Sequence, residues 1–354
     1  MTPHEQKLIP AAAAFRKALL AWFARHQRPL PWRTEVSAYR TVVSELMCQQ
    51  TQVATALPYF DRWVARWPDF AALARAQEAD VLAAWAGLGY YTRARNLRAL
   101  AQQVAGRPEP RTATEWLAFK GVGPYTAAAI ASIAFGDPVA VVDGNVVRVL
   151  ARLAGVRETF KDTTTAAKSF NPLANALVDP QRPGDHNQAM MELGATLCRK
   201  AAPDCARCPV ARWCAVGGRK EAATLPRFEA KVRKTAELAR ALVRHRGRLL
   251  VRRNPETARR LAGMAELPEL ATLGEGLTGR PAMVRRRTIG NVTYAETLLE
   301  VAVTPALLRA WSRESGLEWV AVPTLATAAL TGPHLRWVRE WLSPSDRPAR
   351  GKPL

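Results

Sequence analysis

The chain has 354 residues and no apolar run long enough to cross a bilayer, which excludes a helical integral membrane protein. It has no internal repeat and no low-complexity tract beyond Pro/Arg-rich residues at its C-terminal end, which excludes a solenoid. Acidic residues are scarce, 30 Asp and Glu against 51 Lys and Arg. Cysteine is rarer still, with five in the whole chain, too few to staple a fold of this length. The opening MTPHEQKLIPAAAAFRKALLAWFARH carries Glu5, Lys7, Arg16 and Lys17 among its apolar residues, so it reads as an amphipathic helix rather than a signal peptide. A reducing, cytoplasmic setting is therefore expected. What remains is a globular composition, 48% hydrophobic and 23% charged, sufficient for two or three domains of about 150 residues each.

The formal net charge is +21, and it is evenly spread. Residues 1–220 hold 28 basic and 17 acidic groups, and 221–354 hold 23 and 13, so the two parts carry +11 and +10. Both parts are drawn to a polyanion, and counterion release from phosphates is the usual use of such charge. An arginine-rich coding bias would look the same.

Up to about residue 220 the pattern is helical. Tyr39, Val42, Val43, Leu46, Met47, Gln50, Val53 and Leu57 recur at three and four residues, as one helix face does. Further helices are expected near 78–88, 91–105, 124–135, 143–154, 163–178 and 186–198, between Gly and Pro punctuation. Residues 221–234 read as a charged linker. Beyond it, 239–253 reads as two short strands about a turn at Arg246-Gly247, 293–303 as a strand, and 304–314 and 331–342 as helices. The expected class is mainly α over 1–220, then an α+β domain over 235–345 and a tail at 346–354.

Three features carry chemistry. Cys198, Cys205, Cys208 and Cys214 lie close enough in sequence for four thiolates to wrap one centre, and spacing leaves zinc and an iron–sulfur cluster both open. Cys48, alone in a helical stretch, reads as a small buried apolar residue. Lys120-Gly121-Val122-Gly123-Pro124-Tyr125 precedes a helix of small residues. Glycines at 121 and 123 permit a tight turn, and the helix start presents amides to a phosphate, as in a DNA-binding helix–hairpin–helix. Finally, Glu45 and Asp143 stand apart from the acidic residues on polar faces. Each lies among apolar neighbours, where a carboxyl group titrates high and can act as an acid. A second, ionised carboxylate could steady a developing sugar cation, the two-carboxylate logic of glycosidic cleavage. Structural alternatives are a helix N-cap for Asp143 and an ion pair with arginine for Glu45.

The segments PWR (31–33), SELMCQQTQVATALPYF (44–60), GLGYYTRARNL (87–97), GVGPYTAAAI (121–130), VDGNVVRVLAR (142–152), HNQAMMELGA (186–195) and the four-cysteine loop together resemble the adenine DNA glycosylases, the MutY family, in collinear order. The resemblance implies a helix–hairpin–helix glycosylase fold. A six-helix subdomain over about 30–140 would face a second subdomain, made of the N-terminal helix and 141–220, that holds a 4Fe–4S cluster on the four cysteines. It implies base excision of adenine from double-stranded DNA at A:8-oxoguanine or A:G mispairs, by a monomer. Carried over, Glu45 is the general acid and Asp143 stabilises the sugar cation. Tyr125 and Asn145 support those two. Gln50 and Tyr90 insert at the opposite base as adenine is extruded. Arg28, Leu30, Trp32, Arg33, Val53 and Glu192 wall the adenine pocket.

Departures from the family pattern add detail. Tyr125 stands where the related endonuclease III enzymes carry a nucleophilic lysine, which implies hydrolysis without strand cleavage. Lys120 stands where proline is usual and is expected to contact phosphate. Cys48 stands where leucine is usual and should line the adenine pocket. LAGMAELPE (261–269) resembles the family's Nudix-like lesion-recognition domain, but no Arg-Glu-x-x-Glu-Glu box follows, so nucleotide hydrolysis is not expected. Ile289-Gly290-Asn291 is the nearest equivalent of the loop that contacts 8-oxoguanine. Two other readings are a bifunctional glycosylase/lyase, opposed by Tyr125, and a non-catalytic structure-specific DNA-binding protein, opposed by Glu45 and Asp143.

Overall fold

A computed structural model of the chain describes residues 4–230, 232, 234–258, 261–325 and 328–342. The first helices are α1 (Glu5–Leu8), α2 (Ala12–His26), α3 (Pro31–Thr34), α4 (Ala38–Cys48), α5 (Val53–Arg66), α6 (Phe70–Ala74) and α7 (Glu78–Trp85). Then come α8 (Thr92–Val104), α9 (Ala113–Trp116), α10 (Pro124–Phe135), α11 (Gly144–Ala154), α12 (Thr163–Leu177) and α13 (Pro183–Thr196). Two strands, β1 (Thr159–Phe160) and β2 (Arg227–Phe228), pair in parallel. The remaining elements are β3 (Lys234–Leu242), β4 (Arg244–His245), β5 (Arg248–Arg253), β6 (Ala265–Glu266), β7 (Arg280–Ile289), β8 (Val292–Glu300), α14 (Pro305–Trp311), β9 (Leu317–Ala321) and α15 (Gly332–Leu342).

The chain forms two compact units. One joins the described residues up to Ala76 with Asn96–Ala230; the other joins Gln77–Arg95 with the described residues beyond Ala230. In the first, Phe15, Leu19, Trp22 and Phe23 of α2 bury against Val147 and Leu150 of α11, Phe170 and Leu173 of α12, and Met190 and Leu193 of α13. The helix α10 is apolar on every side (Ala127–Ala131 are all buried), which suits a central helix packed all round.

The second unit holds two sheets. In one, β8 lies between β3, parallel to it, and β7, antiparallel. The other has β5 between β4 and β9, with β6 also on β5. Trp337 and Val338 of α15 pack on Leu242, Leu249, Val251 and Leu298, and Trp311 of α14 packs on Val243, Leu250 and Val301.

Several expectations change. The N-terminal helix is two helices, broken at Ile9–Ala11 around Pro10. The helix face read from Tyr39 to Leu57 breaks after Cys48, and Gln50 adopts φ 55°. Segment 77–95, read as part of the helical domain, groups with the C-terminal unit, where the Arg95 guanidinium donates to Glu78 (2.7 Å) and to the Ala262 carbonyl (2.7 Å). The expected linker is partly structured: Ala222 and Leu225 bury with Val216, and β2 pairs with β1. Strand β7 was missed because arginine occupies both of its faces and hides the two-residue alternation. The tail at 346–354 lies outside the described residues.

Candidate active site

Helix α4 begins at Ser37, whose hydroxyl accepts the Arg40 amide (3.1 Å), and buries Val42, Val43, Leu46 and Met47. Thr41, Glu45 and Cys48, spaced by four and three, therefore share its other side and line a cavity of about 1140 Å³. Tyr125 reaches this cavity from the first turn of α10. The turn before it uses Gly121 at φ 91°, and a Cβ there would also approach Asn96 Cβ to 3.2 Å. Only glycine suits that combination. The Tyr125 hydroxyl donates to Glu45 Oε2 and lies 3.7 Å from the Met191 sulfur.

Glu45 is half-buried and opens into the cavity. Burial pushes its pKa up to about 7. The Tyr125 hydrogen bond and Arg33 pull it down, and the charge of Asp143 pushes it further up. Glu45 and Asp143 thus sense each other across the cavity.

Asp143 is both an N-cap and a cavity residue. Its Oδ1 accepts the Val146 amide (2.7 Å) at the start of α11, and its Oδ2 accepts the Asn145 side-chain amide (2.9 Å). Burial raises its pKa; these donors and Arg148 offset that only in part. The extended segment before it has no sheet partner. Side-chain amides replace one: Asn175 accepts from Ala140 N (2.9 Å), and Asn187 accepts from Val141 N (3.0 Å). Asn145 is oriented in turn by Arg148, which donates to Asn145 Oδ1 (2.8 Å) and to the carbonyls of Gly194 (2.7 Å) and Cys198 (2.8 Å). Gly194 is required here, since a Cβ would lie 2.6 Å from Asn145 Cβ.

The opposite wall holds two arginines on one shared glutamate. Glu192, fully buried, accepts two bonds from the Arg28 guanidinium (2.7 and 2.9 Å) and one from Arg33 (2.9 Å). Burial works to raise Glu192, but the two arginines outweigh it and hold the group below its ordinary value. Arg33 also donates to Gln188 (3.1 Å). Leu30, Trp32, Val53 and Gln50 complete this side of the cavity, with Trp32 edge-on to Phe60 at 5.0 Å.

The structure therefore brings Glu45, Asp143, Tyr125, Asn145, Arg28, Leu30, Trp32, Arg33, Gln50, Val53 and Glu192 to one cavity. Cys48 lines it too. Gly121 and Gly123 shape the turn that delivers Tyr125. Tyr90 belongs to the second unit, where it is exposed, has φ 49° and lies under the Arg93 guanidinium. Ile289, Gly290 and Asn291 form the tip of the β7–β8 hairpin, with Gly290 at φ 63°. Lys120 does not line the cavity. Sequence reading missed Thr41, Gln188, Met191 and Lys168; for Thr41 and Gln188, the spacing of four from Glu45 and Glu192 was the available signal.

Among the described residues, no group of three or more His, Cys, Asp or Glu side chains is arranged to hold a single metal ion. The four loop cysteines nevertheless interact. Burial pushes the Cys208 thiol up to about 12, and the charges of Cys198, Cys214 and Cys205 add to it; Cys214 is raised in the same way. Arg152, almost wholly buried, holds the loop by donating to the carbonyls of Cys198 (3.3 Å), Arg199 (2.8 Å) and Lys200 (2.8 Å) and to Cys198 Sγ (3.2 Å). Four cysteines gathered in one loop beside a buried arginine are the donor set that a thiolate-bound centre needs.

Residues 43–173 match the family model described as HhH-GPD superfamily base excision DNA repair protein. The chain is 48% identical over 220 residues to the adenine DNA glycosylase of Rattus norvegicus, covering 58% of this chain and 42% of that protein. It is 38% identical over 205 residues to the adenine DNA glycosylase of Mycolicibacterium smegmatis, covering 56% of this chain and 69% of that one. It thus spans less than half the length of the mammalian relatives it matches. A solved thermostable thymine-DNA glycosylase superposes with TM-score 0.52 at 26% identity, over 58% of this chain and 96% of that chain.

Proposed function

The chain belongs to the adenine DNA glycosylase family, and on that premise we propose that it hydrolyses the N-glycosidic bond of adenine in duplex DNA. The observation that carries this reading is a pair of half-buried carboxylates in one cavity with unequal donor supply. Glu45 has one hydroxyl donor and a pKa near 7; Asp143 has a backbone amide, a side-chain amide and a helix start. That difference in donors favours the proton on Glu45 and the charge on Asp143. An adenine extruded into the cavity meets Glu45, which protonates a ring nitrogen and turns the base into a good leaving group. As the bond from C1′ to adenine breaks, positive charge develops at the sugar and the Asp143 carboxylate stabilises it; water then adds at C1′ and loses a proton, which leaves the hydroxyl of the abasic site. Asn145 and the Val146 amide keep that carboxylate charged. Tyr125 steadies Glu45 once it has given up its proton. The Arg28–Glu192–Arg33 assembly presents a wall fixed by ion pairs to the base. Tyr125 is no nucleophile for a Schiff base, so the product is an abasic site in an uncut strand.

The finer assignments belong to the same proposal. The substrate is adenine opposite 8-oxoguanine or guanine, engaged by a monomer, with Gln50 filling the space left by the extruded base. The second unit serves as a Nudix-like lesion reader through Ile289, Gly290 and Asn291. Supporting this, Arg286 beside the hairpin tip has no carboxylate partner among the described residues, whereas Arg285 pairs with Glu340 and Arg287 with Glu266 and Glu296. Cys198, Cys205, Cys208 and Cys214 hold a 4Fe–4S cluster, which supplies a rigid scaffold for the basic loop when bound. A brown protein with absorption near ~400 nm would report it.

The test is single-turnover excision on duplexes with adenine opposite 8-oxoguanine, G, C and T. Release of adenine from the first two, with strands intact until alkali treatment, is expected. Absence of adenine release from all four duplexes would overturn the proposal.

A further inference from the structure

We propose that one face of α12 is a phosphate-binding stripe that holds the backbone of the strand carrying the extruded nucleotide, with Lys168 as its charge. This rests on the glycosylase reading of the cavity and extends it to a surface that reading leaves unused. Thr164, Lys168 and Asn171 stand at i, i+4 and i+7 on α12 and all line the cavity, with Thr163 and Ala167 beside them. The face is polar, and its first turn lies beside the start of α11: a Cβ on Gly144 would lie 3.6 Å from Thr163 Cγ2. The stripe therefore starts one residue from Asp143, where the sugar must sit. The phosphates attached to that sugar leave the cavity on this side.

Charge points to the same occupant. The basic side chains lining the cavity are Arg28, Arg33 and Lys168. Arg28 and Arg33 are engaged by Glu192, and among the described residues Lys168 makes no ion pair. Asp162, the nearest acid on the helix, caps it by accepting the Thr165 amide (2.8 Å) and hydroxyl (2.9 Å), and it does not line the cavity. One available cation, flanked by two hydroxyls and an amide along a helix face, matches successive phosphate oxygens and carries no base-reading geometry. Lys120, expected from sequence to be the phosphate contact, lies on the hairpin away from this wall.

The experiment measures the dissociation constant of the full chain for a 25-base-pair duplex across a salt series. The duplex carries a non-cleavable adenosine analogue opposite 8-oxoguanine. Wild type is compared with Lys168→Gln and Lys168→Arg. Lys168→Gln is expected to weaken binding about three- to tenfold at 0.15 M salt and to make the log–log salt slope shallower by about one. Lys168→Arg is expected to keep the wild-type slope. A wild-type slope in Lys168→Gln, or an equal loss in Lys168→Arg, overturns the stripe. Adenine release by the wild type is scored separately, so failure of the glycosylase reading leaves the salt slopes interpretable.

Discussion

In the first unit Glu45 sits in a cavity whose two arginines are engaged by Glu192; in the second, Glu296 sits directly between Arg240 (2.9 Å) and Arg287. Burial opposes the charge of both carboxylates. Yet Glu45 is pushed up to about 7, while Glu296 falls to about 2. His334 and the two arginines overcome burial in the second case; a single tyrosine hydroxyl and a distant arginine fail to do so in the first. His334 itself is wholly buried, its Nδ1 accepting the Leu267 amide (3.0 Å) and its Nε2 3.5 Å from Glu296, so it belongs to this cluster rather than to any metal site. The lesson is that burial sets the size of the effect, and the placement of cations sets its sign. One arrangement keeps a proton ready to leave; the other fixes charges to hold a sheet together.

The largest expected effect is on chemistry. Glu45→Gln should slow adenine excision by about a thousandfold or more, within the range of general-acid contributions, while duplex affinity persists. Excision at the wild-type rate would mean the acid lies elsewhere. The counterpart in the second unit is a stability effect. Glu296→Gln leaves Arg240 and Arg287 partly unpaired in a buried site and should cost about 3–5 kcal/mol, read as a lower denaturant midpoint. Thermodynamic parity with the wild type would erase the contrast between the two sites.

A smaller effect distinguishes them by pH. Because Glu45 titrates higher in the folded chain than in the unfolded one, its contribution is fully present below about pH 4.5 and is lost as pH rises through about 7. Glu45→Gln should therefore match wild type in acid and be more stable at pH 8, by about 3 kcal/mol. Glu296 behaves in the opposite sense: its contribution is present above the ordinary glutamate range and is lost as pH falls towards about 2. Denaturant midpoints across pH, taken for both variants, would expose any common behaviour. The smallest effect concerns Tyr125. Its hydrogen bond lowers the Glu45 pKa, so Tyr125→Phe should move the alkaline limb of the excision profile upward and reduce the rate about tenfold. An unmoved alkaline limb would remove Tyr125 from the titration of Glu45.

Much of the first unit was legible before folding. The breaks around Gly121 and Gly136, the apolar periodicity of α11 and the cysteine spacing are local signals. Asp143 shows where two readings met, since it is an N-cap and a cavity carboxylate at once, one oxygen for each task. The break at Gln49–Gln52 was invisible because the apolar spacing continues across it. In the second unit β7 was hidden by arginines on both faces, and the Arg240–Glu296–Arg287 cluster joins residues far apart in sequence.

Residue order by itself determined the helical stretches, the tight turn before Tyr125, the isolation of Glu45 and Asp143 among apolar neighbours, and the clustering of four thiols, because each depends on spacing of a few residues. Only the tertiary structure decided which carboxylate is left without a directly paired cation. That depends on Arg28 and Arg33 reaching Glu192, more than 150 positions away, and no local pattern encodes where a distant charge is neutralised.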